Sequence, residues 1–226
     1  MENGGENTVN IKYCSLEEGS LKEIEDLVTE SFAKDENTLK LCRSCEGGQT
    51  EDHRPWVKKI ITSHNWSVSR LAVDAATGAV AGVCLCDMST LDQLTRALEP
   101  MAQTDSEACR LTAAFLHQLE GDYDPFKALG VSKVLCLNMV GVDKRYRRQG
   151  LSLELRRQCL ELARQQGCQA VVNCATSPFT RKALVKLGFE RVKFLPFTQS
   201  VLAGVEKVDL SGCGPDDGGA LMVLRL

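Results

Sequence analysis

Between Val142 and Leu155 the chain reads Val-Asp-Lys-Arg-Tyr-Arg-Arg-Gln-Gly-Leu-Ser-Leu-Glu-Leu, an apolar strand that runs into a basic turn marked by Gly150 and out into a helix. That order of residue types suits a polyphosphate. Gly150 has no Cβ, so the backbone can turn sharply and let a ligand come close, and the amides of Gln149, Gly150 and Leu151 fall at a helix start with no acceptor inside the helix. Those donors, the positive end of the helix dipole and the guanidinium groups of Arg145, Arg147 and Arg148 all favour a doubly charged pyrophosphate. A solvated basic face on an ordinary surface helix has the same composition, so the flanking elements must decide.

Ahead of the turn, Val131 to Val142 is a long β-rich run; behind it Leu151, Leu155, Cys159 and Leu162 recur at helical spacing, and Gly167 is placed to end that helix. Gln169 to Cys174 reads as a second strand and Ser177 to Leu187 as a second helix. Strand, phosphate-type turn, helix and strand imply a parallel pair that holds its ligand at the carboxyl ends of the strands.

Arg147-Arg-Gln-Gly-Leu-Ser152 resembles the R/Q-x-x-G-x-G/A acetyl-CoA signature of the GNAT superfamily of N-acetyltransferases, with Ser152 where Gly or Ala is usual. Lys186-Leu-Gly-Phe-Glu-Arg-Val192 resembles the same family, and the resemblance runs from about residue 8 to the C-terminus. Within it the chain is most similar to insect-type arylalkylamine (dopamine) N-acetyltransferases. Ser31-Phe-Ala-Lys-Asp-Glu36 matches the segment where that group keeps a glutamate base, and Asn173 to Phe189 matches one with two hydroxyl residues four apart, here Thr176 and Thr180. The tyrosine acid common in the superfamily is absent, because Leu184 takes its place.

The resemblance implies an α/β (α+β) GNAT fold, a mixed central sheet flanked by helices in a single domain over residues 8–226, with residues 1–7 a disordered N-terminus. It also implies acetyl-CoA as acyl donor and a small primary amine as acceptor, an arylalkylamine such as dopamine, serotonin or tyramine. Met139, Val140, Gly141 and Val142 would hold the pantetheine arm by backbone groups. Arg147, Arg148, Gln149, Gly150, Leu151 and Ser152 would hold the pyrophosphate, and Thr176 would lie beside the acetyl group. Glu36 would be the base, Thr176 and Thr180 a hydroxyl relay, and Asp35 and Phe32 would meet the substrate. An alkylammonium has a pKa of about 10.4, so it must lose a proton before it can attack a thioester.

Simpler roles suit the same residues. Glu36 fits an exposed carboxylate after a helix, and Thr176 or Ser177 fits an N-cap before Pro178. Phe32, Phe115, Phe194 and Phe197 could supply an aromatic pocket or plain core. Alternative substrates are a polyamine or agmatine, a longer acyl chain, or a protein amine; a non-catalytic acyl-CoA-binding module is a different class again.

Composition agrees with one ordinary domain: 226 residues, 43% hydrophobic, 25% charged, net charge −3. An acidic chain argues against a nucleic-acid partner, and the lack of a long apolar run or a signal-type N-terminus argues against a membrane. A cytoplasmic protein, monomeric or weakly dimeric, is expected. Eleven scattered cysteines suit reduced, buried thiols, with Cys84 and Cys86 on one face of a strand. Cys42, Cys45 and His53 form only half of a zinc pattern, so no metal is expected.

Along the rest of the chain, Thr8 to Cys14 reads as a strand and Ser15 to Phe32 as a helix capped by Ser15 with Glu18. Lys34 to Thr50 reads as a mobile loop and Glu51 to Ser63 as a helix. Ser67 to Asp74 and Ala79 to Asp87 form a hairpin, and a helical insertion covers about 89–130. Strands from Phe189 to Leu195 and from Ala220 to Leu226 complete the reading.

Overall fold

The computed structural model describes residues 10–42, 45, 54–91 and 99–226. Strands β1 (Ile11–Cys14), β2 (Arg70–Asp74), β3 (Val80–Thr90), β4 (Lys133–Val142), β5 (Ala170–Ala175), β6 (Glu190–Pro196) and β7 (Gly218–Arg225) form one sheet in the order β1-β2-β3-β4-β5-β7-β6. Every neighbouring pair is antiparallel except β4 and β5, which run parallel and are joined through helix α7. The helices are α1 (Leu21–Leu27), α2 (Asn37–Cys42), α3 (Arg54–Ser63), α4 (Glu99–Ala102), α5 (Glu107–Glu120), α6 (Pro125–Leu129), α7 (Leu151–Gln165) and α8 (Pro178–Lys186).

Side chains alternate across the strands, and the central strands are covered on both faces while the edge strand β6 is largely exposed. On one face Leu71, Val83, Leu85, Met139 and Leu221 pack against α1, α3 and α5. On the other, Cys84, Leu135, Leu137, Val171 and Met222 pack against the Leu151, Leu155 and Cys159 stripe of α7 and against Leu184 of α8. No helix among the described residues is long and apolar enough to cross a membrane.

Two irregularities position the site. First, β4 and β5 pair only from Val134 to Cys136 and from Ala170 to Val172, although each strand continues beyond that point. Past it the strands part, and alternate backbone groups of Leu137 to Val142 face the gap without a neighbouring strand. The side-chain amide of Asn173 donates to the Leu137 carbonyl at 2.5 Å where the fork begins. Second, Leu85 pairs with Met139 and Cys86 with Leu137, so Asn138 is an extra residue that bulges β4 at the same level.

The expected mixed sheet and flanking helices are present, and local boundaries need correction. Ser15 caps nothing; the first helix begins as a 3-10 turn at Glu18 and ends as a π-helical turn, Val28–Ala33. The segment read as a loop after Lys34 holds α2, because Thr38, Leu39 and Cys42 bury one side of that turn. Strand β3 runs to Thr90, and α4, α5 and α6 lie between it and β4. The N-terminal tail 1–7, Thr8 and the whole 46–53 stretch with His53 lie outside the described residues.

Gly141 lets β4 and the end of α1 touch: a Cβ there would stand 2.9 Å from Leu27 Cδ2. Gly141→Val should lower stability in urea by about 1–3 kcal/mol through overpacking. Gly204→Ala, whose Cβ would meet nothing within 4 Å, should stay within about 0.5 kcal/mol of the parent. Equal midpoints for the two variants would contradict the close approach.

Candidate functional site

Helix α7 opens at Gly150, which has φ 80° and no side-chain cap, so the first amides of the helix are left for a ligand. Arg148 also has a positive φ, 66°, rare for a residue with a Cβ, and it turns the preceding amides toward the same side. A groove of about 510 Å³ lies between this turn and α8, lined by Val142, Arg147, Arg148, Gly150, Leu151 and Ser152 on one side and by Phe179, Lys182, Ala183 and Lys186 on the other. Lys182 and Lys186 were not singled out in the sequence; their spacing of four puts both on one side of α8.

Arg147 is committed within the protein. It donates from Nη2 to Asp35 Oδ2 at 2.9 Å and to the Ser31 carbonyl at 3.1 Å, and from Nε to the Val142 carbonyl at 3.2 Å. It ties the end of the π-helical turn to the end of β4. Burial pushes the Asp35 carboxyl up, but the hydrogen bond and charge of Arg147, with Lys40 and Lys144, outweigh it and hold the group below its ordinary value. Asp35 is therefore a partner of the turn and does not line the acceptor cavity.

That cavity, about 560 Å³, fills the fork and opens toward α1, α3 and α5. It brings Phe32, Glu36, Met139, Val140, Thr176 and Thr180 together as the sequence implied. Glu36 sits just past the π-helical turn, its amide donating to the Phe32 carbonyl at 2.8 Å. One carboxylate oxygen accepts the Leu39 amide at 2.7 Å and so caps α2; the other accepts the Thr176 hydroxyl at 2.6 Å and the Thr38 hydroxyl at 3.1 Å. Burial raises the Glu36 pKa above its ordinary value, and these three hydrogen bonds only partly offset it. Ser177, not Thr176, caps α8 by accepting the Phe179 amide, which leaves the Thr176 hydroxyl free to serve Glu36.

Other expected residues fall elsewhere. Gly141 packs on Leu27, and Gln149 is exposed and lines neither space. Phe115 and Phe197 are core residues with ring centroids 5.1 Å apart, and Phe194 lies under Arg181 and Arg191. The cysteines are free thiols; Cys84 and Cys86 share a face as expected and, with Cys159 of α7, place three sulfurs within 4.8 Å of one another.

Several cavity residues carried no sequence signal. His64 is buried, with Nδ1 2.6 Å from the Ile60 carbonyl and Nε2 3.1 Å from the Asn138 amide nitrogen, which in turn donates to Asp87 at 3.0 Å. Burial raises the Asp87 pKa. Glu120, at the end of α5, is also raised by burial and accepts from the Cys174 thiol at 3.7 Å. Arg156 of α7 reaches the cavity from the opposite face of the sheet.

Residues 112–189 match the Acetyltransferase (GNAT) family, a span that runs from α5 through the basic turn to Phe189. By fold, the chain is similar to arylalkylamine N-acetyltransferase 2 from Aedes aegypti, at TM-score 0.78 and 20% identity over 96% of this chain and 99% of that one. It is similar also to the putative arylalkylamine N-acetyltransferase 7 of the same mosquito, at 0.79 and 17% over 95% and 87%. A Drosophila melanogaster polyamine N-acetyltransferase that forms N-acetylagmatine matches at 0.72 and 16% over 96% and 100%. No curated protein sequence matches the chain. The matched segment takes in the basic turn and the elements on either side of it, and the whole chain shares the architecture of the insect arylalkylamine enzymes.

Because the folded-state pKa of Glu36 lies above its unfolded value, its neutral form is favoured by folding; that stability is present below the unfolded pKa and is lost as pH rises through the folded one. Glu36→Gln keeps an oxygen for the Leu39 amide and never ionises. Its stability relative to the parent should therefore rise with pH from about pH 4 up through the raised Glu36 pKa, read from urea midpoints. A constant difference across that range would contradict the desolvated carboxylate.

Proposed function

We propose that the chain transfers an acetyl group from acetyl-CoA to a small primary amine, with an arylalkylamine such as tyramine, dopamine or serotonin as the first substrate class. The observation that carries the reading is a cavity at the fork holding a desolvated carboxylate, Glu36, with Val140 of β4 on its wall and Val142 of the same strand on the wall of the phosphate-type groove. The protein's own groups suit acetyl-CoA: an uncapped helix start at Gly150, open space over that glycine, and unpaired strand edges in the fork. Acetyl-CoA would supply the activated thioester.

The amides at Gly150 and Leu151, with Arg148, Lys182 and Lys186 around them, would bind the pyrophosphate. The free edge of β4 from Leu137 to Val142 would align the pantetheine arm and orient the carbonyl. Glu36 would take the proton from the attacking nitrogen, directly or through water. Its raised pKa brings it nearer the working pH, where a base is most effective. Thr176 donates to that carboxylate at 2.6 Å, so it tunes and aims the base. Thr180, one turn into α8, faces the same space and has a lesser part. Leu184 is wholly buried in the core and can donate nothing.

A second reading is favoured by Glu120. A second carboxylate in the cavity, partnered by Cys174, two residues before Thr176 on β5, would meet a second positive charge on a diamine or agmatine. Steady-state release of CoA against tyramine, dopamine, serotonin, agmatine and spermidine separates the two.

Glu36→Gln should lower kcat/KM by about 10²–10⁴-fold near neutral pH, partly recovered at alkaline pH, with acetyl-CoA affinity unchanged. The parent's kcat/KM should fall as pH drops through the raised Glu36 pKa, and the variant should lack that limb. Glu36→Ala is the poorer test because it also removes the α2 cap, worth about 1 kcal/mol. Equal pH profiles for parent and Gln variant would contradict the assignment.

A further inference from the structure

Among the described residues no carboxylate partners the buried cation Arg156. It is 4% exposed, and the neighbouring charges that act on it are the thiols of Cys84, Cys86 and Cys159. A guanidinium does not shed its proton, so burial without a counter-anion is strongly unfavourable. Its Nη1 is occupied: it donates to the Ser152 carbonyl at 2.8 Å and to the Ser152 hydroxyl at 2.6 Å. Its Nε is buried with no partner, and the side chain lines the fork cavity beside Leu137, Asn138 and Asn173.

The register fixes where that charge sits. Cys86 pairs with Leu137 and Cys84 with Val140, so the thiols beside Arg156 bracket the Asn138 bulge, the level at which β4 and β5 part. The side-chain oxygen of Asn173, on the same side, is a second buried atom without a partner. Ser152 gains a reason as well. At the position where the signature has Gly or Ala, its hydroxyl holds the guanidinium one helical turn away.

We propose that Arg156 stabilises the CoA thiolate as it leaves, doing by charge what a hydroxyl acid does by proton donation; this rests on the acetyl-CoA reading above. As the C–N bond forms, Glu36 accepts the proton of the nitrogen and the C–S bond breaks. The electron pair departs on sulfur, Arg156 keeps its proton, and the thiolate is protonated by solvent after release. The resident competitor for the guanidinium is Cys84, whose thiol is lowered by hydrogen bonds with Cys159 and Cys86 against burial, with Arg156 contributing less. Arg70 is the other cation, and His64 the other titratable side chain, that reaches this cluster.

The test is the pKa of the bound CoA thiol, read as the thiolate ultraviolet absorbance of the CoA complex minus that of the desulfo-CoA complex across pH, which cancels the protein's own thiolates. In the parent the bound thiol should titrate about 1–3 units below the thiol of free CoA titrated alongside it. Arg156→Gln should return it to the free-CoA value or above, and Arg156→Lys should retain part of the shift, with desulfo-CoA affinity equal in all three. The same titration in parent and Gln variant overturns the proposal. CoA and desulfo-CoA that both fail to bind the parent overturn it together with the acetyl-CoA reading. If Arg156→Gln does not fold, Ser152→Ala decides: an upward shift supports the proposal, and an unchanged value overturns it.

Discussion

The parting of β4 from β5 after Cys136 and Val172 is the constraint on which the rest of the site depends. A parallel pair that continued to the ends of its strands would satisfy its own backbone groups and leave no slot. Here the pairing stops, the Asn138 bulge turns the strand, and Asn173 bridges the branch point through its amide. The free strand edges need a partner, and an extended amide-bearing arm is of the right kind. Helix α7 and its turn then follow, because the crossover that makes β4 and β5 parallel must start at the open end of the fork.

Around that opening the protein draws charge of both signs away from water, Glu36 in part and Arg156 almost wholly. Glu36 is held by Thr176, Thr38 and the Leu39 amide, so its carboxylate is desolvated yet aimed. Arg156 is held by Ser152 on the other face. Each is costly to bury alone, and each is positioned by groups whose role is orientation. Arg147, which looks like a phosphate ligand by type, instead links Ser31, Asp35 and Val142, and so couples the helix that carries Glu36 to the strand that ends at the turn.

The turn was legible in the sequence because its physics is local: a glycine at positive φ, neighbouring basic residues and a helical stripe behind them. The strand, helix, strand and helix unit from Lys133 to Lys186 was legible for the same reason. Helix α2 was not, because it lies in a polar stretch and its cap is a glutamate, a residue type that does not mark helix starts strongly. The pairings that define the site were beyond reach: Glu36 meets Thr176 across 140 residues, and Asp35 meets Arg147 across 112. Only family resemblance singled out Glu36, and nothing local distinguished Glu120, His64 or Arg156 from ordinary polar residues of helices.

Amide hydrogen exchange with and without acetyl-CoA tests the central claim most directly. If the fork and turn are the site, acetyl-CoA should slow exchange at Asn138 to Val142 and at Gln149 to Ser152, and leave β1 and β2 unchanged. Protection confined to other segments, or none at saturating acetyl-CoA, would contradict the account.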